Sequence, residues 1–407
     1  MRPNHPKSWS IVYAGFVVIV MLVTVWSVGL DRPCYHDECH FVETVELFVR
    51  DMGLSTFQTY NEMSTPLPFI LYALWGRIFG FHLHVLRLFS LLVAVITYAL
   101  LYRLLNEVIG SKSIVFASAA FMILNPYMIG LSIFVYTDML TLLFVIMSCF
   151  ALLHRKPVLL FVSLAGALLC RQFTLFLIVA MFIFFMLVLS RKRDRSVLAM
   201  IAACAGAIVP YAALIVLWRG LIPDNAVRTV YLDAGLSYNP SHLILYMAMF
   251  CVYLLPFVIV NWRLYRELRV LVASFVLAWG YWLFPVSASP YTVMIDRHTT
   301  GFFHRALKNM LINDLLVHTV YFLLFMAALP IIWCIVRDLY WRIHRNNIDL
   351  CLFLDLSIIC YLIIMPFAYM AWEKYFLLIL PFGILRFLLM AFPAGSRASQ
   401  TAQGGCA

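Results

Sequence analysis

An all-α integral membrane bundle of about twelve transmembrane helices is the fold class this sequence predicts. Three observations carry the prediction. The 407 residues are 64% hydrophobic and only 12% charged, with a mean hydropathy of +0.95, whereas soluble domains carry about a quarter charged residues. Apolar runs of about twenty residues, the length that crosses a bilayer, recur along the chain. Lysine and arginine gather in every second short connection, which is how helices are oriented in a membrane. The formal net charge of +10 alone would suit a nucleic-acid binder, but its placement beside apolar runs sets that class aside.

The first run, Trp9 to Leu30, follows Arg2 and Lys7. It exceeds the roughly 7–15 apolar residues of a signal peptide and shows no small-residue cleavage site, so it reads as a retained first helix. Further helices are expected near 86–106, 113–131, 138–154, 157–170, 173–190, 196–218, 242–261, 268–288, 315–336, 351–371 and 376–392. With the N-terminus inside, the inner connections hold Arg103 and Lys112, Arg155 and Lys156, Arg191 to Arg195, Arg263 to Arg269, and Arg337 to Arg345. Most acids then fall outside, among them Asp37, Glu38, Glu62, Asp138, Asp224, Asp233, Asp296, Asp314 and Glu373. Residues 1–392 read as a single transmembrane domain and 393–407 as a polar cytosolic tail. The long first outer loop, 31–85, carries two helical patterns. Phe41, Val45, Phe48 and Val49 line one face of the first, largely opposite Glu43, Glu46 and Arg50, as in a helix lying at an interface. In the second, Leu67 to Phe81, Arg77 and the Thr65-Pro66-Leu67-Pro68 start argue for a surface helix.

The stretch Asp31 to His40 packs three acids and two histidines into ten residues beside the membrane. Buried ionisable groups are costly there, so the cluster is either a site or a solvated loop. Adjacent side chains on a helix do not share a face, so of Asp37 and Glu38 one can meet a substrate while the other packs or orients. A carboxylate so placed suits the removal of a proton from an attacking hydroxyl. Cys34 and Cys39 flank the pair, and a disulfide between them is left open, since bonding needs a geometry that spacing does not show. Asp138, in Tyr136-Thr137-Asp138, is a helix cap or a second acid on the same membrane face. Arg171, in Cys170-Arg171-Gln172, either snorkels to the interface or holds a phosphate with its paired donors. Lys374, in Trp372-Glu373-Lys374-Tyr375, has the same two readings. His36 and His40 have a zinc-compatible i, i+4 spacing near Glu38, but no third ligand is evident, so no metal ligands and no cofactor are assigned, with a divalent metal left open. His242, His304 and His318 read as loop or helix-end residues. There is no phosphate-cradling glycine loop, nucleophile elbow or nucleotide fingerprint. A transferase would therefore draw on a membrane-delivered donor.

The set of Asp37-Glu38 with His40, Thr65-Pro66-Leu67-Pro68, Tyr136-Thr137-Asp138 and Cys170-Arg171-Gln172, with Lys374-Tyr375-Phe376 as a later landmark, resembles the GT-C glycosyltransferases. It is most similar to the dolichyl-phosphate-glucose-dependent alpha-1,2-glucosyltransferase group, and more loosely to protein O-mannosyltransferases and lipid A aminoarabinose transferases. The resemblance implies a GT-C-type bundle. It also implies transfer of a sugar, glucose favoured, from a polyprenyl phosphate such as dolichyl phosphate to a hydroxyl acceptor, on the luminal or periplasmic face. The membrane is that of the endoplasmic reticulum, with a bacterial inner membrane as the alternative. Asp37 matches the catalytic base, Glu38 and Asp138 secondary acids, and Arg171 and Lys374 the donor-phosphate ligands. His40, Tyr60, Glu62, Gln172 and Tyr375 line the substrate groove. The tight spacing from the acidic pair to His40 departs from the group. No large soluble domain follows the last helix, so the expected acceptor is a lipid-linked glycan, with a lipid or protein hydroxyl as alternatives.

The competing class is a polytopic transporter or flippase, in which binding groups lie near the midplane. Asp355, inside an apolar run, is the clearest buried charge for that class, whereas most other ionisable groups fall at helix ends.

Overall fold

The computed structural model describes residues 6–392 except 36, 224–236, 290–291, 294–297 and 312. The expected tail 393–407, His36, and the acids Asp224, Asp233 and Asp296 lie outside the described residues. No strand occurs among the described residues. Six helices are long and apolar enough to cross a membrane, or seven if one bent pair counts as a span, and six shorter apolar helices accompany them. The protein is thus an all-α, multi-pass integral membrane protein. The chain divides into two compact units. One comprises residues up to Thr174 and resumes at Ser196; the other takes Leu175–Arg195 and resumes at Ala234.

The first unit contains α1 (Pro6–Val28), α2 (Asp37–Arg50), α3 (Leu54–Thr59), α4 (Leu67–Phe79), α5 (Leu83–Val108), α6 (Lys112–Ile123), α7 (Pro126–Ile133), α8 (Asp138–Leu153) and α9 (Pro157–Cys170). The helix expected over 113–131 is broken. Pro126 has no N–H to continue the ladder, and the Asn125 side chain accepts from the Tyr127 N–H at 3.0 Å to start α7 afresh, 69° off the axis of α6. Helices α8 and α9 form a hairpin, turned by Arg155 in the left-handed region and started again by Pro157. They approach so closely that a Cβ on Gly166 would lie 2.7 Å from the Phe144 ring.

Helix α2 is amphipathic as its sequence pattern requires: Phe41, Val45 and Phe48 are buried, while Glu43, Leu47 and Arg50 are exposed. Burial of each such side chain contributes about 1.5–3 kcal/mol. The buried face meets α4 through Phe41 and Phe48 against Phe69, and Tyr60 packs on the same rings. Arg77 of α4 donates to the Phe48 and Val49 carbonyls, satisfying orphan acceptors at the C-terminus of α2. The unit is completed by α11 (Leu198–Gly206) and α12 (Val209–Trp218), which continue after α10 (Leu175–Lys192) of the second unit.

The second unit also holds α13 (Pro240–Tyr253), α14 (Leu255–Val260), α15 (Leu268–Ala278), α16 (Phe302–Met310), α17 (Asp314–His344), α18 (Leu350–Ile364) and α19 (Leu380–Ala391). Its α17, α18 and α19 are joined by charge. Arg386, 2% exposed, donates to Asp355 at 2.5 Å and to Asp338 at 2.6 Å, while Arg342 pairs with Asp349 and lies 3.9 Å from Asp355. The buried charge of Asp355 is therefore balanced within the bundle. Replacing Arg386 by Met should leave Asp355 buried beside a vacated partner and destabilise the protein by about 3–5 kcal/mol. Loss of the monodisperse species in a detergent thermal-unfolding series measures this. Recovery in Asp355→Leu/Arg386→Met identifies the isolated charge, rather than lost packing, as the cause.

Candidate active site

Glu38 is wholly buried at the start of α2, and Arg87 of α5 is wholly buried opposite it. The guanidinium meets the carboxylate with two parallel bonds, Nε to Oε1 at 3.0 Å and Nη2 to Oε2 at 2.7 Å. Its remaining donors reach the carbonyls of Gly29, Leu30, Arg32 and Pro33 at 2.8–3.3 Å. Glu38 in turn accepts the N–H of Tyr35 and the N–H of Val135, each at 3.1 Å. One buried ion pair thus fixes the segment entering α2, the first turn of α2 and the turn that leads into α8.

Asp37 is the first residue of α2, one position before Glu38 and half-buried. Successive residues of a helix diverge by about 100°, so burying Glu38 leaves its neighbour at the surface boundary. The helix N-terminus favours a negative charge there by about 0.3–1 kcal/mol. Cys34 and Cys39 are bonded to each other, closing a short loop that contains Asp37. The question left open by spacing is answered by the 5.2 Å between their Cα atoms, within the range a disulfide spans.

Contacts run outward from this centre through the other predicted motifs. Phe41 stacks edge-on against Tyr136 at 5.5 Å, and Tyr72 donates to the Tyr136 carbonyl. Asp138, 3% exposed, is the first residue of α8 and receives the Arg171 Nη2 donor at 3.0 Å; Arg171 is 6% exposed and sits 5.9 Å from the Phe173 ring. Gln172 donates to the Met63 carbonyl, next to Glu62, and Thr65 donates to the Leu168 carbonyl at 3.1 Å. Arg171 and Asp138 are thus paired, and Gln172 is tied to the loop carrying Glu62, in the same unit as the Glu38–Arg87 pair. Glu62 and Gln172 are half-buried. His40 stands apart, exposed at the edge of a groove of about 260 Å³ with Glu43, Glu46, Arg50 and Asn61. Tyr60 is 1% exposed, donates to the Ser64 carbonyl at 2.8 Å, and lies among Phe48, Phe69 and Trp218. Burial pushes its phenol well above the usual range, so it holds its proton.

In the second unit Glu373 is wholly buried and receives the backbone N–H groups of Phe303 and His304 at 2.8 Å, with Tyr253 and Thr300 hydroxyls at 3.1 and 3.3 Å. It caps α16 and fixes the turn that carries Lys374 and Tyr375. Lys374 is half-buried with its ammonium 5.8 Å from the Trp372 ring, and Tyr375 is 8% exposed. No three His, Cys, Asp or Glu side chains gather as a metal site among the described residues. Arg87 was the residue that sequence reasoning missed. It lies inside an apolar run, where a single arginine has no motif, and only its place beside Glu38 reveals its role.

A multi-pass helical membrane fold whose first unit buries a carboxylate–guanidinium pair is compatible with a GT-C-type membrane glycosyltransferase. Residues 63–218 match the family model described as dolichyl-phosphate-mannose-protein mannosyltransferase. The match contains Asp138, Arg171 and Gln172, and begins after Asp37. It supports a membrane glycosyltransferase that uses a polyprenyl-phosphate sugar donor. No curated protein and no solved structure matches the chain.

Two substitutions separate scaffold from reactive group. Arg87→Met should strand the buried Glu38 carboxylate and cost about 3–5 kcal/mol. Asp37→Asn, at a half-buried helix N-terminus, should cost no more than about 1 kcal/mol, the worth of a charge there. Thermal unfolding of both in one detergent checks the contrast; equal losses would show that Asp37 belongs to the scaffold.

Proposed function

We propose that the protein moves a hexose from a polyprenyl phosphate to a hydroxyl acceptor, with Asp37 as general base. The observation that carries this reading is the division of labour within Asp37-Glu38. Glu38 has its carboxylate filled by Arg87 and two backbone N–H groups, whereas Asp37 stands half-buried at a helix N-terminus within the Cys34–Cys39 loop.

In the proposed step the acceptor oxygen attacks the anomeric carbon while the Asp37 carboxylate takes its proton. The bond from that carbon to the phosphate oxygen breaks, and polyprenyl phosphate leaves with the electron pair. Base assistance of this kind is worth about 10²–10⁴-fold. Arg171, oriented by Asp138, holds the donor phosphate. Glu38 positions Asp37. His40, Glu62 and Gln172 border the substrates, and Tyr60 supports that border from beneath. Glucose is the favoured sugar on the motif set, mannose on the description of the matched family, and a lipid-linked glycan is the favoured acceptor. The Cys34–Cys39 bond supports a luminal or periplasmic site, since such bonds persist in oxidising compartments.

Incubation of the purified protein with a panel of polyprenyl-phosphate hexoses, scored by release of polyprenyl phosphate, tests both the activity and the sugar. Asp37→Asn should lower the turnover by about 10²-fold or more while costing no more than about 1 kcal/mol of stability. Turnover at the parent rate in this variant removes Asp37 as the base, and no release from any donor removes the transferase reading.

A further inference from the structure

The second unit contains a pocket that the transferase reading does not use. Its volume is about 220 Å³, and His298, His304, His318, Lys308 and Asp314 line it over an apolar floor that includes Val317. Three imidazoles and one ammonium in a space this small, against one carboxylate, make an unusual concentration of nitrogen donors. The sequence assigned none of these histidines a role.

The geometry decides which kind of ligand the donors suit. His304, 3% exposed, takes the Thr300 N–H on its Nδ1 at 3.2 Å, so in the neutral ring the proton sits on Nε2 and that atom donates. Burial first, and then the charges of Lys308 and His318, lower the His304 pKa to about 4, which keeps the ring neutral and its Nε2 a donor at ordinary pH. His318 is held by Tyr281, whose hydroxyl lies 2.8 Å from its Nδ1. Lys308 leans towards Asp314 at 3.7 Å, a long contact between half-exposed and exposed side chains. The α16 backbone beneath Lys308 is fixed by Glu373, which accepts the Phe303 and His304 N–H groups. A divalent cation would meet the ammonium of Lys308, and the pocket is not among three-ligand clusters. An oxyanion would instead find imidazole and ammonium donors on rigid supports.

We infer that this pocket binds a phosphate-type oxyanion, with Lys308 as its charge partner, His304 and His318 as imidazole donors, and Asp314 as a competitor for Lys308. The same chemistry is offered by soluble phosphate and by the phosphate of a lipid headgroup. The assignment rests on the pocket's own donors, so its failure would leave the test of Asp37 untouched.

The protein in detergent is titrated with inorganic phosphate and followed by ³¹P NMR line broadening. Saturable binding is expected. Lys308→Met should weaken it by about tenfold, the worth of one charge-assisted hydrogen bond. Asp314→Asn should tighten it several-fold, a gain that misfolding cannot produce. The protein is then reconstituted in phosphatidylcholine vesicles with and without phosphatidic acid. Loss of the phosphate signal with phosphatidic acid present assigns the pocket to a lipid phosphate, and an unchanged signal assigns it to a soluble one. Absence of saturable binding, or binding indifferent to both Lys308→Met and Asp314→Asn, overturns the proposal.

Discussion

The buried pair of Arg87 and Glu38 is the constraint on which the first unit depends. Two charges removed from water are tolerated only when every donor and lone pair is engaged, and here the guanidinium and the carboxylate find six protein partners beyond each other. Those partners come from two separate stretches of chain, the segment after α1 and the turn before α8, and the pair ties both to the start of α2. The ion pair therefore does for these loops what a ladder does for a helix, and it sets where Asp37 stands.

The second unit solves a similar problem with a different partner. For Glu373, backbone N–H groups at the start of α16 and the hydroxyls of Tyr253 and Thr300 donate to the carboxylate. In both units an acid is driven inward and fully bonded, and its chain neighbour is left half-buried: Asp37 beside Glu38, Lys374 beside Glu373. Adjacent residues on a helix point about 100° apart, so the neighbour of a fully bonded acid faces different surroundings. The burial of one is thus the means by which the other is presented.

Much of the architecture was legible in the residues. The apolar runs became helices, and the period of Phe41, Val45 and Phe48 placed α2 face-down on its neighbours, because both patterns record burial directly. What stayed hidden were features that depend on partners distant in the chain. Arg87 and Arg386 lie within apolar runs and carry no motif, and their roles show only once Glu38, Asp338 and Asp355 stand beside them. The break at Pro126 was overlooked because the hydropathy of 113–131 is continuous, although proline and the preceding Asn125 carried the signal. Asp138 and Arg171 were singled out separately, and their pairing across 33 positions is a tertiary fact. The disulfide required the 5.2 Å approach that only the fold supplies.

This distribution of carboxylates bears on the chemistry proposed. Hydrolysis of an ordinary glycosidic bond uses two carboxyl groups, because an alcohol leaves poorly and must be protonated as it departs. A phosphate monoester anion departs without that help, so a transferase with a phosphate-activated donor has work for a single base. On the proposed reaction, Glu38 and Asp138 need not be reactive, and both are found spent in ion pairs with Arg87 and Arg171. A carboxylate such as Asp37 is a modest base. A modest base is sufficient where bond breaking runs ahead of attack, since the hydroxyl sheds its proton late, once the new bond has begun to form.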